Sequence, residues 1–176
     1  MKFNPDIHHR KSLRFKHYDY RQNGLYFITI CCKNRQCLLG NIVDDEMNLN
    51  NLGEMVRKCW LKIQNYYPQV NLHPFVIMPN HIHGIIEIAS NENWGECDSP
   101  LHNQSTFNGT SQTIGAMIRG FKAGVTSWAR KNTEHYDIWQ RNYYEHIIRN
   151  EKSYNQIIEY IENNPILWEQ DRFYNS

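Results

Sequence analysis

The chain has 176 residues, a length that fits one domain able to bury a real core. Net charge is only +1, so no bulk basic character announces a nucleic-acid partner, and the charge distribution must carry any such argument. The cysteines (Cys31, Cys32, Cys37, Cys59 and Cys97) are odd in number and include no C-x-x-C pair, which excludes a disulfide framework and a zinc ribbon. The opening "MKFNPDIHHRKSLRFK" holds no apolar stretch of leader length, and no run approaches the roughly 18 apolar residues of a membrane span. The expected setting is a reduced cytoplasm with no membrane partner.

Residues 1–23 are basic and polar without periodicity. They interleave Arg10, Lys11, Arg14, Lys16 and Arg21 with Phe15, Tyr18 and Tyr20, and predict an arm. "LYFITICC" after Gly24 is a β-branched and aromatic run, a buried strand. From Asn41 to Pro68 the apolar positions Leu52, Met55, Val56, Cys59, Trp60 and Ile63 recur at three and four, which predicts an amphipathic helix for this segment. Pro68 ends it. Two short apolar runs then flank Pro79-Asn80 and read as a β-hairpin. Residues 90–112 are rich in Asn, Ser and Gly and predict a long mobile loop.

Ile114, Ile118, Phe121, Val125 and Trp128 define a second helix, with Arg119, Lys122 and Arg130 off its apolar stripe. "NYYEHIIRN" predicts a last strand. "NEKSYNQIIEYIENNP" predicts a final helix capped by Asn150 and stopped by Pro165. The order β-α-β-β-α-β plus one helix predicts an α+β, ferredoxin-like domain spanning 1–176, an antiparallel sheet with helices on one face and an added C-terminal helix.

Chemistry concentrates at "PNHIHGIIEI". Residues two apart on a strand share a face, so His81 and His83 point the same way with Ile85 and Glu87. Two adjacent imidazoles suit a divalent metal and leave most of its coordination sphere open. H-x-H alone is a weak signal and needs a third ligand and a reacting group. On the final helix, Tyr154, Ile157, Ile158 and Ile161 form the apolar stripe. At about 100° per residue, Tyr160 and Asn164 fall together on its flank, one turn apart. Asn164 offers an amide oxygen and Tyr160 a hydroxyl. A flank tyrosine and a helix-stop asparagine are the plain alternative.

"MPNHIHGII" followed by "WQRNYYEHIIRNEKSYNQIIEYIENNP" resembles the single-tyrosine HUH transposases, and among them the REP-associated tyrosine transposases. The resemblance runs from about Arg10 to Trp168, and "YDYRQNGLYFITICCKNR" is similar to that family's arm and first strand. It implies the same ferredoxin-like fold. It implies a divalent metal, Mg²⁺ or Mn²⁺, held by His81, His83 and Asn164. Some relatives carry Gln at this last position. It implies Tyr160 as the nucleophile that forms a 5′-phosphotyrosine on single-stranded or hairpin-forming palindromic DNA. Free tyrosine has a pKa of about 10, so its hydroxyl needs help to lose a proton. Glu145 and His146 are equally readable as helpers or as ordinary strand residues.

Arg10, Lys11, Arg14, Lys16, Arg119, Lys122 and Arg141 are candidate phosphate contacts, and Phe15, Tyr18 and Tyr20 are candidate stacking platforms for unpaired bases. The alternatives are a non-catalytic ferredoxin-like nucleic-acid-binding module, a nuclease using metal-activated water, and an inactive transposon remnant. Monomer or dimer, and a tyrosine helix acting on its own chain or a partner's, stay open at this level.

Overall fold

The computed structural model describes residues 23–89 and 113–174. The expected arm, with Arg10, Lys11, Arg14 and Lys16, and the expected loop at 90–112 lie outside the described residues.

The described residues form six strands and four helices in chain order. They are β1 (Gly24–Cys31), β2 (Gly40–Val43), β3 (Glu46–Leu49), α1 (Asn51–Leu61), α2 (Ile63–Tyr66), β4 (Val70–Met78), β5 (His81–Ile88), α3 (Ile114–Asn132), β6 (Tyr144–Ile148) and α4 (Glu151–Asn163). The main sheet has the order β4-β5-β1-β6, and every neighbouring pair is antiparallel. Strands β1 and β4 are joined through α1 yet separated by β5, the split β-α-β arrangement of the ferredoxin-like fold.

One expectation is corrected. The segment 41–68 is not one helix, because Gly40–Leu49 forms the two-stranded sheet β2–β3. Asp44 and Asp45 both take left-handed backbone, with φ of 51° and 63°. That is the geometry a two-residue hairpin turn requires, and Asp tolerates it better than most residues. The helix begins only where Asn50 caps it, its side chain accepting from Gly53 N.

The two faces of the main sheet differ. Tyr26, Ile28, Ile30, Ile82, Ile86 and Ile88 point to one face and bury against Trp60 of α1 and Ile118, Phe121 and Val125 of α3. Gly84 lies on this face because a Cβ there would sit 2.5 Å from Trp60 Cζ2 and 2.9 Å from Phe75 Cβ. Helix α4 covers the opposite face. Its Ile161 joins Ile85 and Ile148, with Tyr154, Ile157 and Ile158 packed at the margin. Asn150 caps α4 by accepting from Ser153 N. Beyond α4 the chain turns back through Trp168 and Phe173, both buried, toward the His81 end of the sheet.

Candidate active site

His81 and His83 project from β5 on the α4 face, and both are fully buried. The sheet register explains what they meet. Cys31 pairs with His81, and Thr29 pairs with His83. Directly opposed residues of an antiparallel pair share a face. Thr29 Oγ1 lies 2.8 Å from His83 Nδ1. His81 Nδ1–H donates to Asn80 Oδ1 at 2.8 Å. Asn80, the second residue of the β4–β5 turn, is itself buried. Its Nδ2 donates to the carbonyls of Arg35 and Phe173, at 3.1 and 2.8 Å. Each histidine is thus held through Nδ1, which leaves both Nε2 atoms facing the same space.

Helix α4 brings Tyr160 and Asn164 to that space. The Tyr160 hydroxyl lies 3.0 Å from His83 Nε2. Phe27 stacks on His83 at 5.2 Å between centroids and meets Tyr160 edge-on at 6.2 Å, so one aromatic wedge fixes both rings. Asn164, the residue that closes α4, is buried, and its Oδ1 has no hydrogen-bond partner among the described residues.

A further group, Asp171, is not foreshadowed by the sequence. It follows the short 3₁₀ turn Trp168–Gln170, where no period relates it to the histidines. Its Oδ2 accepts from the Tyr160 hydroxyl and from Asn164 Nδ2, both at 2.9 Å, and its Oδ1 accepts from Phe173 N at 2.6 Å. Only the folded chain brings it here.

These surroundings set the charges. Burial first, then the influence of neighbouring cations, lowers the His81 pKa to about 4 despite the nearby Asp171 carboxylate. Burial, then the adjacent His81, takes His83 well below its ordinary value. Both imidazoles are therefore neutral near pH 7 with lone pairs available. Burial works to raise the Asp171 pKa. The donors Phe173 N, Asn164 and Tyr160 outweigh it and hold the carboxyl below its usual range. Tyr160 is pushed up to about 12, by burial first and then by its hydrogen bond to Asp171.

The donor set fits a divalent cation. One ligand atom each from His81, His83 and Asp171 lies within 4.8 Å of the others. His81 Nε2 and Asn164 Oδ1 are buried atoms with no hydrogen-bond partner among the described residues, an arrangement that is costly unless something is bound. Imidazole nitrogens beside carboxylate and amide oxygens make a donor set compatible with a divalent cation rather than a soft, thiophilic one.

The remaining candidates fall elsewhere. Arg119 is exposed on α3. Arg141 is exposed ahead of β6 and makes no hydrogen bond or ion pair among the described residues. The Lys122 ammonium donates to the carbonyls of Gln140 (2.8 Å) and Asn142, which flank Arg141. Glu145 pairs with Ile28 and so lies on the α1/α3 face, away from the histidines, whereas His146 pairs with Phe27 on the α4 face.

No family model matches the chain. It is 62% identical over 176 residues to an uncharacterized protein of Haemophilus influenzae, covering 98% of this chain and 97% of that one, and the two belong to one family. It is 27% identical over 152 residues to a "Putative REP-associated tyrosine transposase" of the same organism, covering 84% of this chain and 73% of that protein. Its fold matches that of a REP-associated tyrosine transposase solved bound to a REP hairpin. There the TM-score is 0.61 and the identity 22%, over 92% of this chain and 77% of the other. The chain resembles the REP-associated tyrosine transposases in fold and in sequence. Among the described residues no helix is long and apolar enough to cross a membrane.

Proposed function

We propose that this chain is a divalent-metal-dependent, single-tyrosine DNA strand transferase that acts on single-stranded or hairpin DNA. One observation carries the reading. The Tyr160 hydroxyl sits between His83 Nε2 and Asp171 Oδ2, beside two buried ligand atoms with nothing to bind. A structural tyrosine does not require two neutral buried histidines and an unpartnered amide oxygen around its hydroxyl.

The chain's own residues have definable tasks. His81, His83, Asn164 and Asp171 would hold the cation. When bound, it supplies Lewis-acid charge that offsets the negative phosphodiester and favours the tyrosinate. Asn80 Oδ1, which can only accept, fixes the His81 tautomer that offers Nε2, and Thr29 Oγ1 anchors His83 through its Nδ1. Tyr160 Oη attacks the phosphorus, forming a P–O bond to tyrosine while the P–O3′ bond breaks. The products are a 5′-phosphotyrosine and an O3′ that takes up one proton, matching the one Tyr160 gives up, to leave as a free hydroxyl. Asp171 Oδ2 already accepts the hydroxyl hydrogen and is the group on hand to take that proton. Attack by a 3′-hydroxyl on the phosphotyrosine reverses the step, conserves the phosphodiester and needs no ATP. Tyr160 reaches the histidines of its own chain, so one copy carries every named group.

The substrate class rests on the solved relative, which binds a REP hairpin. The test is a denaturing gel of protein, labelled hairpin-forming single strand and Mn²⁺. Label should travel with the protein and should be absent with Tyr160→Phe. Free cut DNA without adduct in both lanes would replace this reading with metal-activated water.

A further inference from the structure

At the His81 end of the sheet a second feature stands outside the catalytic cluster. The turn Lys33–Arg35 and the segment 137–141 enclose a cleft of about 570 Å³, lined by Lys33, Arg35, Asp137, Trp139 and Arg141. The two walls are tied together. Cys32 and Trp139 form a β-bridge, Lys33 N donates to Ile138 O, and Gln140 N donates to Cys31 O. The cleft therefore extends the β1 edge directly beyond the residue that pairs with His81.

Its cations are not equivalent. Lys33 is engaged by Asp137 in an ion pair. Arg35, on left-handed backbone (φ 55°), donates one N–H to Arg172 O at 3.0 Å, with its guanidinium 5.5 Å from the centre of the Phe173 ring. Arg172 approaches the same ring at 4.6 Å, and Phe173 lies 4.7 Å from His81 between ring centres. Arg141 has no ion-pair or hydrogen-bond partner among the described residues, yet its backbone is fixed on both sides. The buried part of the loop supplies the reason. Lys122 Nζ holds the carbonyls of Gln140 and Asn142, and Trp139 Nε1 donates to Lys122 O at 3.3 Å. A rigid loop that presents one unpaired guanidinium into a cleft, next to a second guanidinium that touches the catalytic centre through Phe173, is a site built for an anion.

We propose that this cleft binds a backbone phosphate of the DNA strand entering the Tyr160 centre, with Arg141 and Arg35 as its contacts and Lys122 as the residue that positions Arg141. The proposal rests on the DNA-processing reading above. It assigns Lys122 a different task from a phosphate contact, since its donors are already committed to the loop.

The test separates the two claims. Binding of a fluorescent single-stranded oligonucleotide is measured by anisotropy across salt concentrations, using Tyr160→Phe protein so that no cleavage intervenes. Adding Arg141→Gln should weaken binding about 5- to 10-fold at low salt and lower the log–log salt slope by about 0.7, the value for one lost phosphate contact on a single strand. Arg35→Gln should act in the same direction. Arg57→Gln, exposed on α1, outside the cleft lining and paired with Glu54, should change nothing. Arg141 has no partner to lose among the described residues, so a folding defect is not expected there, and thermal unfolding of each variant checks this. Unchanged affinity and slope in both cleft variants, with DNA still bound, overturns the cleft while leaving the tyrosine chemistry standing. Altered binding in a protein that forms no Tyr160 adduct supports the cleft and fails the catalytic reading. A parent protein that binds no DNA overturns the cleft.

Discussion

The two faces of the one sheet solve different problems with the same strands. On the α1/α3 face, β5 contributes Ile82, Ile86 and Ile88, and the side chains that meet them are apolar. On the α4 face the same strand contributes His81 and His83, and the buried neighbours include Thr29, Asn80 and Asn164. Burying apolar surface stabilises a fold without direction, at roughly 25 cal/mol per Å². Burying imidazoles and amides costs free energy unless each polar atom finds a partner. The α1/α3 face therefore contributes most of the apolar burial, and the α4 face carries buried polar atoms, His81 Nε2 and Asn164 Oδ1, without a partner among the described residues. The split also gives substitutions on the two faces opposite signatures.

The sharpest break in the comparison is His81→Ala. It should abolish Mn²⁺ binding in calorimetry, and adduct formation should fall at least about 100-fold, since even residues supporting metal ligands are worth 10- to 100-fold. The variant also loses ring contacts with Phe173 and Trp168 and the bond to Asn80 Oδ1, so a cooperative thermal transition is checked before the loss is read as one of metal. Unchanged Mn²⁺ affinity would remove the metal assignment. Ile86→Ala, on the other face, should show the reverse. It should cost about 2–5 kcal/mol in chemical denaturation while the surviving folded protein keeps its metal affinity. A matching loss of metal affinity would mean that the faces are not independent.

Asp171→Asn sharpens the picture within the α4 face. Metal affinity should drop about 10- to 100-fold, with the Tyr160 pKa lowered from about 12 as the carboxylate is removed, followed by ultraviolet titration. No change in either would return Asp171 to a purely structural role. Acid lability of the metal-free protein tests the buried histidines without any ligand. An unfolded histidine titrates near 6.5, whereas His81 resists protonation down to about 4 and His83 is also depressed. The unfolded chain therefore binds more protons between pH 6.5 and 4. Stability should be at its full value above pH 6.5 and fall as pH drops through this window, by about 1.4 kcal/mol per pH unit for each such histidine. Denaturation midpoints at pH 7 and pH 5 measure it, and a flat profile would show that the histidines are solvated.

How much of this was legible in the chain follows from the range of each interaction. Period two placed His81 and His83 on one face of a strand, and period 3.6 placed Tyr160 beside Asn164 on the flank of the final helix. Those are local rules. The β2–β3 hairpin escaped because its alternation is short and runs straight into the apolar stripe of α1. Its signal was Asp44-Asp45 between Ile42-Val43 and Met47. Asp171 escaped for a different reason. It sits in irregular chain, and its value comes from Tyr160, Asn164 and His81 converging on it. No periodicity encodes that.

Asn80 has one more consequence, which concerns time. Its amide joins segments 45 and 93 residues away, and the His83–Tyr160 contact spans 77. The β4–β5 hairpin that carries both histidines closes through two residues and needs no distant help. Contacts of such different span do not form together, because long loops close late and open early. The histidines should thus be in register well before the nucleophile and Asp171 arrive. Hydrogen exchange should find α4 and the 171–173 segment opening while β1, β4 and β5 stay closed. A molecule able to cut DNA would then gain that ability only at the last stage of folding and lose it first under stress.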